Sequence, residues 1–211
     1  EPAAPLQVTV SSATNVTCFN ADNGSITVST SGGTPSYNYN WGGGVTSQNR
    51  TGLAAGTYAV TVSDANACTA TVVSVITQPA ILQITTTAID NLCNGASAGA
   101  VNTSVNGGTP GYTYVWNNAQ STSAISAVTA GNYQVTVSDF NSCSASASAV
   151  VLQPNAIAIT ETHYDVQCNA ASTGIIDITA TGGAGNYAYL WSNGDNNQDL
   201  SGLAANTYTV T

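Results

Sequence analysis

Five cysteines stand at positions 18, 68, 93, 143 and 168. Cys18, Cys93 and Cys168 are 75 residues apart, and so are Cys68 and Cys143. A second spacing of 50 runs from Cys18 to Cys68 and from Cys93 to Cys143. In an oxidising compartment such thiols pair. The spacing predicts Cys18–Cys68 and Cys93–Cys143, each closing a loop of about 50 residues and adding roughly 4 kcal/mol by chain entropy. Cys168 is left unpaired, because its counterpart at that spacing is residue 218, past the last residue of this chain. An odd cysteine is either a reactive thiol or one whose partner lies outside the stretch; the period favours the second.

Other residues that could do chemistry are few. His163, in "ETHYDV", is the one histidine, and the equivalent positions 13 and 88 carry no ionisable group. A general base needs a nucleophile or a cleft around it, and no Ser/His/Asp, Cys/His or paired-carboxylate pattern stands out; no catalytic residue is expected. Hard cations need several oxygen ligands. The one candidate for Ca²⁺ is Asp90 with Asp139 and Asn141, and its counterpart is Asn15, Asp64 and Asn66. The competing reading makes "SDANAC" and "SDFNSC" turns whose Asp and Asn cap their own backbone. The stretches "SVITQPAILQI" and "AVVLQPNAIAI" hold no carboxylate, so proline and apolar contact must stiffen them. No cofactor is expected. Asn15, Asn23, Asn49 and Asn102 head N-x-S/T sequons, which arise by chance in a chain this rich in Asn, Ser and Thr.

The aromatics repeat as the cysteines do. Tyr37, Tyr39 and Trp41 recur as Tyr112, Tyr114 and Trp116, and again as Tyr187, Tyr189 and Trp191. At i, i+2 and i+4 they share one face of a strand. Exposed, such a stripe is a platform for sugars; buried, it is the core of each unit. Its presence in every unit is what a core requires. The opposite face carries Asn38 and Asn40, then Thr113 and Val115, then Ala188 and Leu190, which points to a lateral or interdomain contact for the last two.

These stripes step back to a tandem array. Its units are 1–79, 80–154 and 155–211, and the third stops at "NTYTVT", short of its last strand or two. The array is expected to be a window from a longer one. The alternative is a filament subunit whose unfinished unit is completed by a neighbour's strand. Each unit holds six or seven short alternating runs such as "SITVST" and "TYAVTVSD", bounded by Gly, Asn, Asp and Pro. The expected fold is all-β: immunoglobulin-like β-sandwich repeats of 75 residues in a rod-like array. "AGTYAV" reads as a tyrosine corner around Tyr58, repeated at Tyr133 and Tyr208.

Composition narrows the partners. Of 211 residues, 43% are hydrophobic and only 5% charged, with a net charge of −9 and a single cation, Arg50. Nucleic acid and anionic membrane surfaces need clustered Lys and Arg, so neither is expected. Trypsin has one site. No apolar run approaches the roughly 20 residues of a membrane helix, and "EPAAP" reads as a mature start or a linker.

The stretch from Cys18 to Pro79, with "NGSITV", "GGTPSYNYNW", "LAAGTYAVTVSDANAC" and a terminal "QP", resembles the SprB repeat. The resemblance extends over all three units. In place of the usual "PP" before the aromatic strand stand "PS", "PG" and "GN". The resemblance implies a very large, secreted cell-surface protein of gliding and related Bacteroidota, extending as a fibre. Function is then expected to be structural and adhesive, at the cell surface and associated with the outer membrane, and gliding motility is one form of it. Neighbouring repeats or identical chains are the expected partners, with surface polysaccharide as a further one. A filament subunit and a carbohydrate-binding module are the alternatives.

Overall fold

In a computed structural model the structure describes residues 4–211, so Glu1–Ala3 of the opening "EPAAP" lie outside it. It is built of 15 β-strands without an α-helix among the described residues. In the first repeat, β1 (Gln7–Thr14), β2 (Gly24–Ser31) and β4 (Arg50–Leu53) form one sheet in the order β1-β2-β4. The second sheet, β3 (Asn38–Asn40), β5 (Gly56–Ser63) and β6 (Thr69–Ile76), has the order β3-β5-β6. All pairings are antiparallel, and a bulge between Val10 and Ser12 interrupts the β1–β2 register. The alternation of "GSITVSTS" and "GTYAVTVS" sends Ile26, Val28, Val60 and Val62 inward from the two sheets, where they meet Val16, Leu53 and Ile76. This is the two-layer packing of a β-sandwich.

The second repeat uses β7 (Gln83–Ile89), β8 (Gly99–Asn106), β9 (Thr113–Trp116), β10 (Ala124–Val128), β11 (Gly131–Ser138) and β12 (Ser144–Val151), in sheets ordered β10-β8-β7 and β12-β11-β9. The third has β13 (Ala158–Tyr164), β14 (Gly174–Thr181) and β15 (Leu200–Leu203) in one sheet, and an isolated bridge from Trp191 to Val210. By contact density the chain divides into two compact units. One extends to Thr86 and adds Thr103–Ser123 and Gln134–Ser148; the other holds Thr87–Asn102, Ala124–Tyr133 and Ala149–Thr211.

The aromatic stripe lies against the core. Tyr37, Tyr39, Trp41 and Tyr58 pack on the first cluster, and Tyr189 and Tyr208 on that of the third repeat, which contains Trp191. Trp116 and Trp191 are only 2% and 4% exposed; Tyr112, Tyr114, Tyr133 and Tyr187 are half-buried. Most polar atoms on these rings are tied to backbone, while Tyr39 meets the Thr30 hydroxyl at 3.2 Å and Tyr189 donates to Gln198 Oε1 at 3.5 Å. Tyr58, Tyr133 and Tyr208 donate to the carbonyl four residues upstream at 3.0, 2.9 and 3.1 Å, the tyrosine corner read from the sequence. Trp41, Trp116 and Trp191 donate through Nε1 to the carbonyl six residues downstream at 2.8, 2.9 and 2.9 Å. The rings are therefore no open platform, and the burial of Trp116 and Trp191 corrects the carbohydrate-module alternative, which needs exposed indoles. Arg50 caps the first stripe, 5.8 Å from the Trp41 centroid and 5.2 Å from that of Tyr58.

The glycine pair before each stripe does more than turn the chain. Gly107 and Gly108 have φ of 76° and 62°, and Tyr112 donates to the Gly107 carbonyl at 2.7 Å. Gly108 N–H donates to the Ala80 carbonyl at 2.9 Å. A Cβ on Gly107 would collide with the carbonyl of Ile81, and the same collision meets Gly32 at Pro5 and Gly182 at Ala156. The bare glycines let the incoming linker lie flat on the turn. Gly107→Ala is expected to cost at least about 2 kcal/mol, combining backbone strain with the lost linker contact. Gly42→Ala, at φ 83° with nothing within 4 Å of the added carbon, should cost only about 1 kcal/mol. Thermal melts of the two variants test this; equal losses would remove the clamp.

Candidate functional site

The joint between the first two repeats is the site the structure builds most fully, and it begins with an aspartate. Asp139, 4% exposed, accepts from the backbone N–H of Thr109 at 2.8 Å and from those of Asn141 and Cys143 at 2.9 Å each. Phe140 N–H donates to the Thr109 carbonyl at 3.1 Å. The β11–β12 turn is thus riveted to the glycine turn 30 residues upstream. The first repeat has the same arrangement: Asp64 accepts from Thr34, Asn66 and Cys68, all at 2.9 Å. This is the backbone-capping role of the "SDxNxC" motif, extended by a long-range bond from Thr34 or Thr109 that the local sequence does not announce.

On that turn sits Cys143, and its partner is Cys18, with Cα atoms 5.8 Å apart and 125 residues between them. Cys68, Cys93 and Cys168 are free and exposed. This corrects the pairing expected within each repeat, and the reason is length. Val16 N–H donates to the Thr77 carbonyl at 3.1 Å, and Asn20 N–H to Gln78 Oε1 at 2.9 Å. Cys18 therefore lies at the C-terminal end of β6. Cys68 immediately precedes β6, whose eight residues span about 26 Å, whereas a disulfide joins Cα atoms at most about 7 Å apart. The second repeat follows the same order. The Cys93 loop is bonded to Gln153 and Pro154, at 2.9 and 3.0 Å, after β12, and Cys143 precedes that strand. Cys18 leaves one repeat where Cys143 enters the next, so the bond crosses the joint. Asn141 adds to it, donating through Nδ2 to the Thr17 carbonyl at 3.1 Å.

The remaining candidates do other work. Asp90 Oδ1 accepts from Leu152 N–H at 2.8 Å, while Asp139 spends Oδ1 on its own turn and Oδ2 on Thr109. Asn15 Oδ1 accepts from Thr77 N–H at 2.8 Å, at the opposite end of β6 from Asp64 and Asn66, so the first-repeat trio is not brought together. Asn141 spends its amide on Thr17 and on Thr109 Oγ1, the latter at 2.9 Å. No group of three or more His, Cys, Asp or Glu that could hold a metal occurs among the described residues. His163 is exposed, with Nδ1 2.6 Å from Glu161 Oε1 and Nε2 3.7 Å from Asp165 Oδ1, and no nucleophile stands beside it. Val115 and Leu190 stay exposed at 64% and 56%. Asn15, Asn23 and Asn49, three of the four sequon residues, are engaged through their side chains.

Backbone N–H groups, foremost that of Thr34, hold the Asp64 carboxyl below the usual carboxylate range against the opposing push of desolvation. A carboxyl lowered in the folded state adds stability above its unfolded pKa and loses it as the pH falls through the folded value. The melting temperature should be flat from pH 7 to about 5 and fall below about pH 4. Asp64→Asn, which turns an amide N–H toward the Thr34 N–H, should melt lower at pH 7 and lose part of that acid slope. An unchanged slope would take Asp64 out of the turn's energetics.

The SprB repeat profile matches residues 10–46, 85–121 and 160–196, a little over half of the chain. Among curated proteins, no sequence matches. In fold, the chain is similar to the N-terminal four Ig domains of Dscam1 isoform 9.44, at 14% identity over 72% of this chain and 47% of that one, TM-score 0.35. It is similar to the N-terminal eight Ig domains of Down syndrome cell adhesion molecule isoform 1.30.30, at 13% identity over 84% and 27%, TM-score 0.34. A third likeness is to fibronectin(III)-like modules of Clostridium thermocellum CbhA, at 14% identity over 70% and 95%, TM-score 0.29. The chain spans less than half the length of the Dscam chains it matches.

Proposed function

Because the chain belongs to the SprB repeat family, we propose that it is a force-carrying, adhesive segment of a fibre secreted to the outer surface of the cell. SprB repeats occur in cell-surface proteins, and the disulfide fits an extracellular setting. Both the family and the sandwich fold are structural in kind, and the reading is non-enzymatic. The observation that carries it is the joint. Two covalent paths run from the first repeat to the second: the linker through Pro79 and the bond from Cys18 to Cys143. The glycine turn and Asp139 hold both in place. A joint closed this way resists bending and carries tension, which is what a long fibre needs whether it adheres, moves or sheathes. Neighbouring repeats or further copies are its partners along the fibre, surface polysaccharide is a candidate at its tip, and no cofactor is needed.

Two measurements test this reading. Antibody against the chain should label intact producing cells, and brief protease treatment of those cells should remove the label; signal only after permeabilisation would end the surface assignment. Pulled from its ends, the oxidised protein should extend about 40 nm less than the reduced one, because 125 residues at about 3.4 Å each stay behind the bond. Equal extensions would mean the bond carries no load.

A further inference from the structure

We propose that Arg50 anchors a binding site for a uronate carboxylate carried on a mostly neutral polysaccharide. The proposal rests on the reading of the chain as an adhesive surface segment and adds the class of ligand and the place that takes it.

Arg50 stands at a core position. Arg50, Ile125 and Leu200 occupy the same register in β4, β10 and β15, opposite Ile26, Val101 and Ile176. Ile125 and Leu200 are 1% and 3% exposed, and Leu200 shares a core cluster with Trp191. An aliphatic side chain at this place plugs the sandwich. In the first repeat the plug is the single cation of the chain, and Arg50 and Trp41 are both only half-buried. Apolar packing alone favours leucine here, because arginine forgoes the burial of branched methyl groups.

The guanidinium is held in place without being satisfied. Its distances to the Trp41 and Tyr58 centroids, 5.8 and 5.2 Å, are within cation–π range of both rings. The rings are themselves fixed, Trp41 by the Ser47 carbonyl at 2.8 Å and Tyr58 by the Ala54 carbonyl at 3.0 Å. Among the described residues no carboxylate pairs with Arg50 and no acceptor takes a guanidinium N–H. A guanidinium positioned by ring faces keeps its planar fork for an oxyanion, which it meets with two parallel hydrogen bonds. Much of the side-chain ordering that binding costs is then already in place.

The rim beside Trp41 narrows the ligand. Gly42, Gly43 and Gly44 follow the indole with φ of 83°, 56° and 81°, and a Cβ on any of them would meet nothing within 4 Å. The N–H groups of Gly43 and Gly44 reach no acceptor among the described residues. A carboxylate suits the fork and hydroxyl oxygens suit the glycine N–H groups; a uronate carries both on one ring. The guanidinium lies over the indole, so recognition passes through charge and not through stacking. A second copy of this chain also offers carboxylates, but each copy carries a net charge of −9, and that repulsion opposes their meeting. A uronate set among neutral sugars brings a single charge.

Because the full chain has one arginine, its Nε–H signal in heteronuclear NMR reports this site alone. A neutral-backbone tetrasaccharide bearing one glucuronate should shift that signal in a saturable way, and less so as salt is raised. Its methyl ester, with the same backbone and no charge, should not. Arg50→Lys should weaken binding at least about tenfold, because an ammonium has no fork. Arg50→Leu, which installs the residue type of the third repeat, should bind nothing by calorimetry and melt no lower than the unaltered chain, so that lost recognition is told apart from lost folding. No shift with the tetrasaccharide, or an equal shift with acetate at equal concentration, would overturn the proposal. A shift produced by raising the protein concentration alone would overturn it as well, by giving the carboxylate to a second copy. None of these results touches the fibre reading, which is decided by the surface label and by the extension of the oxidised joint; failure there would leave uronate binding as measured.

Discussion

A disulfide joins Cα atoms about 4.4–6.8 Å apart, and an eight-residue strand is about 26 Å long. These two lengths govern what the cysteines of a repeat can do. The first cysteine follows β1 and the second precedes β6, and in an antiparallel sandwich those points lie at opposite ends. Neither can reach the other. Each can reach only what stacks against its own end, and that is another repeat. The bond between Cys18 and Cys143 is the outcome, and much else at the joint serves to hold its two ends still.

That holding explains why the recurrent residues are the ones they are. A sulfur fixed to fractions of an ångström needs a rigid turn, and Asp139 makes one by taking three backbone N–H groups at once. The turn needs a fixed neighbour, and the glycine pair provides it by accepting the linker where a Cβ would collide with its carbonyl. The glycine turn in turn is anchored by Tyr112, whose hydroxyl donates to the Gly107 carbonyl. Tyrosine and tryptophan suit most of the stripe better than phenylalanine because the ring fills apolar volume while its polar atom satisfies a backbone carbonyl, as Tyr112 and Trp116 do.

The period of 75 made the repeats, the strands and the aromatic core legible, because alternation and register survive in a one-dimensional string. The tyrosine corners at Tyr58, Tyr133 and Tyr208 were legible for the same reason: donor and acceptor are four residues apart. The cysteine pairing was not. A periodic sequence states a position only to within a whole period, and spacings of 50 and 125 differ by one repeat. Choosing between them requires knowing at which end of the sandwich each cysteine sits, which is topology and not pattern. The bond from Thr109 to Asp139 was hidden likewise, since "SDFNSC" reads as a complete local turn without it.

The choice between those spacings is not decided by stability alone. In the chain-entropy picture a loop of about 50 residues contributes roughly 4 kcal/mol and one of 125 about 5 kcal/mol, a difference inside the scatter of measured disulfides. What differs is where the constraint acts. A bond inside a repeat would protect that repeat and leave the linker free to swing. A bond across the joint encloses β2 to β6, the linker and most of the second repeat, so neither sandwich can open its strands without working against the other. The linker, with its single proline and no charged side chain, could not supply that coupling. Cooperation between neighbours is the property a one-dimensional array lacks by default, since stability there is a sum of units and nearest-neighbour interfaces. A covalent interface raises the neighbour term without enlarging the core, which suits sandwiches of 75 residues that have little further apolar area to bury.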